Sequence, residues 1–243
     1  MKFSLSSIAK ASIISRFALM VCLSSSVIAP AFAQDSQTKK EADTAYYNVV
    51  KQRAGKIVVN LGIEDAAKAE RVQTIIARQY QNLNNIHTSR DIQIKAEKAK
   101  ADQSKEAIAA SVKKIEDKAS KQLAKLHKKY LKQLGKQLTG EQVVKVKDGM
   151  TYGVVPLTYN GYMQMLPNLT EEQKKQIMAW LVEAREKAMD AESSEKKHGW
   201  FGKYKGRINN YLSASGINMK QAGEEWQKRI KAEQEARKGN KAS

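Results

Sequence analysis

The sequence predicts an all-α protein, a helical bundle with a long projecting antiparallel helical hairpin. Three observations carry that expectation. Beyond residue 33 the chain holds only two prolines, Pro156 and Pro167, both in one short stretch. The long tracts around them are rich in Ala, Lys, Glu, Gln and Leu, which favour helix. Apolar residues recur every three or four positions, the spacing that lines one helix face. No clear alternating strand pattern competes, although 143–146 and 153–157 are locally ambiguous.

The first 33 residues read as a leader rather than as part of the bundle. Lys2, Lys10 and Arg16 give a positive start with no acidic residue. Residues 17–28 are mostly apolar, and Ala31-Phe32-Ala33 places small residues where signal peptidase reads them. That pattern predicts a secretory signal peptide, cleaved after Ala33, and a periplasmic or secreted protein. The apolar run is shorter than the roughly 20 residues a membrane span needs. Cys22, the only cysteine, lies inside the leader behind Val21, where a lipoprotein signal would want a small residue. The mature chain is thus expected to have no thiol, disulfide or cysteine-metal chemistry.

The remaining 210 residues suit a single all-helical domain, 34–243. Residues 34–40 look polar and disordered. A first helix, about 41–60, carries Ala45, Val49, Val50, Ala54, Ile57 and Val58. Gly62 stops it, and Glu64-Asp65 suit the positive end of the next helix. That helix carries Val72, Ile75, Ile76, Tyr80, Leu83 and Ile86. Residues 91–134 lack glycine and proline, and their apolar positions repeat nearly every eleven residues, as in a long helix with little supercoil. The hairpin arm is therefore placed at about 64–134, with the polar stretch 93–107 at its solvated tip.

The bundle and the candidate site region follow at about 135–236. Gly135 ends the long helix. Thr139 with Gln142, and Thr170 with Gln173, each have capping-box spacing. The second box opens a helix over about 171–191. Asn218 with Gln221 is a third cap, after Gly216, for a last helix to about 236. The tail 238–243 looks frayed. Such elements give helix-on-helix packing throughout.

Charge narrows the partner. The chain carries 43 Lys and Arg against 25 Asp and Glu, a net of +18. Losing the three basic leader residues leaves +15. A charge of that size favours polyanions, and export makes nucleic acid the least expected of them. An acidic polysaccharide or oligosaccharide is the expected partner. The mature chain shows no transmembrane segment.

Enzyme signatures are sparse. His87, His127 and His198 show no metal-ligand spacing, so neither a metal site nor a cofactor is expected. There is no nucleophile elbow, phosphate loop or dinucleotide glycine pattern. Asp148, Glu183, Glu186 and Asp190 are the carboxylates a glycosidase or lyase could use, though most such residues are caps and surface charges.

Two segments stand apart. Residues 198–211 pack three glycines, four aromatics, three cations and two amides into one short run, and 150–163 add three tyrosines. Aromatic faces stack on sugar rings, while amides and guanidinium forks bind hydroxyls and carboxylates. Trp200, Tyr204 and Tyr162 are the expected platforms. Lys203, Lys205, Arg207, Asn209 and Asn210 are the expected polar contacts in a concave site. Aromatics also dominate cores, so most of these rings could instead be structural.

The runs beginning at Val146, Glu183 and Phe201, the last reading Phe-Gly-Lys-Tyr-Lys-Gly-Arg-Ile-Asn-Asn-Tyr-Leu, resemble an uncharacterised family of exported Bacteroidota proteins, a domain of unknown function described as sugar-binding. The resemblance covers about 45–235. It implies polysaccharide use and a diderm host, and it carries no catalytic residues. The paired Leu-Thr-x-Glu-Gln runs at 138 and 169 resemble those of small periplasmic stress chaperones, but a capping box alone would produce them. The expected function is a non-catalytic carbohydrate-binding or polysaccharide-utilisation accessory protein favouring acidic glycans. The alternatives are a helical periplasmic chaperone or partner-binding protein, and a glycan-cleaving enzyme using Asp148, Glu183 or Glu186.

Overall fold

A computed structural model describes residues 31–239, with side-chain surroundings from 41 to 236. Among the described residues there are eight helices and no strand. They are α1 (Ala31–Val59), α2 (Ala66–Lys98), α3 (Lys105–Gly135), α4 (Gly140–Met150), α5 (Val154–Met165), α6 (Glu171–Met189), α7 (Ser194–Ala214) and α8 (Met219–Gly239). The all-α class is as expected. None of the described helices is long and apolar enough to cross a membrane.

The chain divides into two compact units, Met1–Glu41 and Ala42–Ser243. The first is described only from Ala31 onward, as the opening of α1. The expected signal peptide otherwise lies outside the described residues. The stretch 34–40, expected to be disordered, is helical. Its Gln, Asp, Ser, Thr and Lys residues include no glycine or proline to stop a helix. Everything below concerns the second unit.

In α1 the buried stripe is Val50, Ala54 and Ile57. Gly62 turns the chain in the left-handed region at φ 65°, which glycine enters without steric cost. Asp65 then caps α2 by accepting the Lys68 N–H at 3.1 Å.

The hairpin is α2 and α3, packed against each other and joined through 99–104. Ser104 caps α3, accepting the Ala107 N–H at 3.2 Å. Beyond His87, α2 buries no side chain, and before Ala119, α3 buries none. The core is thus at the hairpin's base. The turn is only a few residues long; the rest of the polar stretch 93–107 continues the two helices.

Both threonine capping boxes form in full. Thr139 Oγ1 accepts the Gln142 N–H, and Gln142 Oε1 accepts the Thr139 N–H. Thr170 and Gln173 do the same. Asn218 accepts the Gln221 N–H at 3.1 Å, and α8 extends three residues past its expected end, to Gly239. Residues 240–243 of the expected frayed tail lie outside the described residues.

The two ambiguous runs are helical, in α4 and α5. Pro156 sits in the first turn of α5, where an N–H has no helical partner to lose. Tyr152 and Gly153 form the joint between α4 and α5, both at positive φ (61° and 66°).

The buried residues form two clusters. One gathers Val50, Ala54, Val72, Ile76, Tyr130 and Leu134 with α4. The other gathers α5, α6 and α7 around Ile177, Leu181, Phe201, Ile208 and Leu212. The end of α6 belongs to both, since Ala188 lies in the second cluster and Met189 in the first. Lys197 ties this seam from α7. Its ammonium is buried and donates to the carbonyls of Met150 (3.2 Å) and Met189 (3.4 Å), the last residues of α4 and α6. A cation at helix C-termini is favourable. Burial nevertheless pushes its pKa down to about 8, Asp190 opposing and Arg53 adding to the fall.

Candidate functional site

The seam between the two clusters is lined with charge. Glu186 on α6 and Asp190, which caps the C-terminus of that helix in a helical conformation, are four residues apart, so they share a face. His127 projects from α3 between them. Its Nδ1 lies 2.9 Å from Asp190 Oδ2 and its Nε2 lies 3.3 Å from Glu186 Oε2. From α4, Lys147 Nζ donates to both carboxylate oxygens of Glu186, at 2.9 and 2.8 Å. Arg185 Nη1 donates to Asp148 Oδ1 at 2.8 Å, and its Nε is 3.6 Å from Glu186.

This arrangement fixes charge. The Asp190 contact, then the Glu186 contact, raise the His127 pKa to about 9 against the opposing effect of burial. Burial alone would raise the Glu186 carboxyl. Hydrogen bonds from His127 and Lys147 and the charges of Lys147 and Arg185 more than reverse this, bringing it to about 2. At neutral pH the seam therefore holds an imidazolium beside the ionised Glu186 carboxylate.

Polar capacity is left over. The His127 N–H points off the line to Asp190, so that contact is an ion pair rather than an aligned hydrogen bond. Asp190 Oδ1 and Arg185 Nε are buried with no hydrogen-bond partner. Buried polar atoms in this state normally meet water or a ligand. A pocket lies between α3 and α6, walled by His127, Glu186 and Asp190, with Lys125, Lys128 and Lys187 also lining it.

The other side of Asp190 is anchored to α2. His87 Nε2 is 2.7 Å from the Asp190 carbonyl oxygen, and Arg90 Nη1 is 3.0 Å from His87 Nδ1. Arginine can only donate, so Nδ1 accepts and Nε2 carries the donated proton. Arg90 also reaches Glu192 at 3.5 Å. The end of α6 is thus held to the hairpin by main chain and side chains together.

The residues singled out in the sequence are distributed differently. Residues 194–214 are one helix, with Phe201, Tyr204, Ile208 and Leu212 on its buried face. Tyr204 and Tyr162 are 7 % and 6 % exposed and belong to the core. This corrects their expected use as stacking platforms, because a buried ring has no face to offer a sugar. The two segments do meet: the Tyr162 hydroxyl donates to Asn209 Oδ1 at 2.6 Å. They meet through this hydroxyl and within one buried cluster. Trp200 is half-buried, with Lys203 Nζ 5.5 Å from its ring. Arg207 lies over Trp180 at 4.5 Å and reaches Glu183 at 3.8 Å. Lys203, Lys205, Asn209 and Asn210 are exposed on α7, as are Gly199, Gly202 and Gly206.

The three candidate carboxylates do not face one cleft. Asp148 and Glu186 flank Arg185, whereas Glu183 is half-exposed beside Arg207. His127 and Asp190 emerge as site residues with Glu186. Spacing along the chain could not join His127 to α6, because 59 residues separate it from Glu186.

A family model described as a protein of unknown function (DUF3826) matches residues 47–232. The chain belongs to that family. No curated protein matches it.

Proposed function

We propose that this member of the DUF3826 family is a non-catalytic binding protein that takes an acidic sugar in the pocket between α3 and α6. The observation that carries the reading is the convergence there of fixed carboxylates, an imidazolium and three lysines on two helices. A uronic acid offers a carboxylate to lysines and hydroxyls to carboxylate acceptors, so it complements both kinds of group at once. Asp190 lines the same wall. Action after export, in the periplasm or outside the cell, is supported by the leader's basic, apolar and small-residue order. The resemblance to exported Bacteroidota proteins described as sugar-binding is consistent with such a role.

Binding is favoured over cleavage. A glycosidase needs one carboxyl held protonated, but Glu186 is held ionised, at about 2. Asp148 is paired with Arg185. The chaperone alternative has less support. Capping-box geometry accounts for both Leu-Thr-x-Glu-Gln runs. Among the described residues, Ile92 is the one large exposed apolar side chain on the hairpin.

Isothermal titration with uronate disaccharides tests the proposal. Wild type is expected to bind them more tightly than neutral disaccharides. A Lys128→Gln/Lys187→Gln variant should lose that preference, while Trp200→Ala/Lys203→Ala keeps it. Equal binding by all three proteins, or loss only in the Trp200 variant, would remove the pocket from consideration.

A further inference from the structure

The pocket opens onto a lysine-rich surface, with Asp117 the acidic residue among its lining. Helix α3 carries nine lysines and three acidic residues. All three acidic residues precede Lys118, and 118–140 hold seven lysines with no acidic residue. Lysines that serve solubility are ordinarily interspersed with glutamates, which limit self-repulsion and add i,i+4 pairs.

The lysines also align. Lys114, Lys118, Lys121, Lys125 and Lys128 follow intervals of four, three, four and three residues. At about 100° per residue they fall within roughly 80° of arc. At about 1.5 Å per residue the ridge is about 21 Å long. All five are exposed. Among the described residues none of the five has an ion-pair partner, and Asp117 is paired instead with Lys113 at 3.8 Å. Lys125 belongs both to this ridge and to the wall of the pocket, as does Lys128.

We propose that the ligand is a linear acidic polysaccharide, held at one sugar by the α3/α6 pocket and along its length by the lysine ridge of α3. This rests on the pocket reading and extends it from a sugar to a chain. A single file of cations matches a chain whose charges recur along a line. Among the described residues α3 exposes no large apolar side chain, so it lacks what a helix needs to seat in a membrane surface. The ridge has no aromatic on which bases could stack, which disfavours single-stranded nucleic acid. At its pocket end, carboxylates offer acceptors suited to sugar hydroxyls.

The test is a length series of oligouronates, from disaccharide to dodecasaccharide, titrated into the full chain. Wild-type affinity should rise with length and fall as ionic strength is raised from about 0.05 M to about 0.5 M. A Lys114→Gln/Lys118→Gln/Lys121→Gln variant changes exposed side chains only. It should bind the dodecasaccharide about tenfold to a hundredfold more weakly, at the usual worth of exposed charge contacts. It should bind the disaccharide as wild type does. Affinity independent of length, or a variant indistinguishable from wild type on the dodecasaccharide, overturns the ridge. Equal or tighter binding of single- or double-stranded DNA, or of anionic phospholipid vesicles, overturns the polysaccharide assignment. Ridge-dependent binding of long chains with no disaccharide binding upholds the ridge and removes the pocket reading.

Discussion

Replacing His127 by Gln removes the central charge of the α3/α6 seam while keeping a side chain of similar reach. Its cost can be worked from the structure. A pKa raised from 6.5 to about 9 corresponds to about 3 kcal/mol, at about 1.4 kcal/mol per tenfold change in proton affinity. The side chain is 19 % exposed, so solvent screening reduces this to about 2 kcal/mol. A raised pKa gives stability that is complete below the unfolded value and is lost as pH rises through the folded one. The His127 contribution is therefore full below about pH 6.5 and gone above about pH 9.

Lys197 titrates nearby with the opposite sign. Its pKa, lowered from 10.5 to about 8, means the cost of burying its charge is relieved as pH rises from about 8. The wild-type curve alone mixes the two, but the difference between wild type and H127Q cancels Lys197. Urea unfolding followed by tryptophan fluorescence suits the measurement, since Trp180, Trp200 and Trp226 lie in α6, α7 and α8. The difference should be about 2 kcal/mol near pH 6 and below about 0.5 kcal/mol near pH 10. The same loss at both pH values would show that His127 acts by packing, and the charge account of the seam would fail.

At the acid end, Glu186 has the mirror-image dependence: its pKa is lowered from 4.5 to about 2, so its contribution is present above about pH 4.5 and lost as pH falls through about 2. E186Q should therefore flatten the acid limb of the unfolding curve, and an unchanged limb would contradict the shift. Thr170→Ala removes a formed capping box and should cost about 1 kcal/mol in urea unfolding, against a negligible loss for Thr170→Ser. Gly153→Ala and Gly202→Ala should move in opposite directions by about 1 kcal/mol each. Gly153 sits at φ 66°, where alanine is strained, whereas Gly202 is inside α7 with open space at the Cβ position, where alanine is the better helix former. Thermal melts of the two variants check the signs.

The fold was largely legible because its signals are local. Thr139, Thr170 and Asn218 each announce a helix start through residues three positions away, and all three caps form. The stripes of α2 and α3 are periodic over many turns. Where helices were missed, a local rule was overridden. Val154 and Val155 favour strand and Pro156 breaks a helix interior, yet a first turn tolerates both and Val155 is buried. In α7 the period is present at Phe201, Tyr204, Ile208 and Leu212. Gly199, Gly202 and Gly206 each weaken a helix by about 1 kcal/mol. Packing of the opposite face outweighs that cost.

The site was less legible because its charges are joined only by tertiary contact. Glu186 looked like one of many surface carboxylates, and His127 like an isolated histidine in a lysine-rich helix. What distinguishes them is burial beside opposite charge, and burial depends on α3 and α6 meeting where both clusters end. One signal was nevertheless present in the sequence. The acid-free run 118–140 places His127 among lysines, an environment that by itself lowers a histidine's pKa. A helix of that composition can hold an imidazolium only if carboxylates reach it from elsewhere. The two that do, Glu186 and Asp190, are spaced four apart at the C-terminal end of α6, Asp190 as its cap. They answer the charge of His127, and Glu186 that of Lys147 as well, and leave the outer ridge unneutralised. The division between a balanced seam and an unbalanced ridge is the physical basis for expecting a ligand that supplies the missing negative charge.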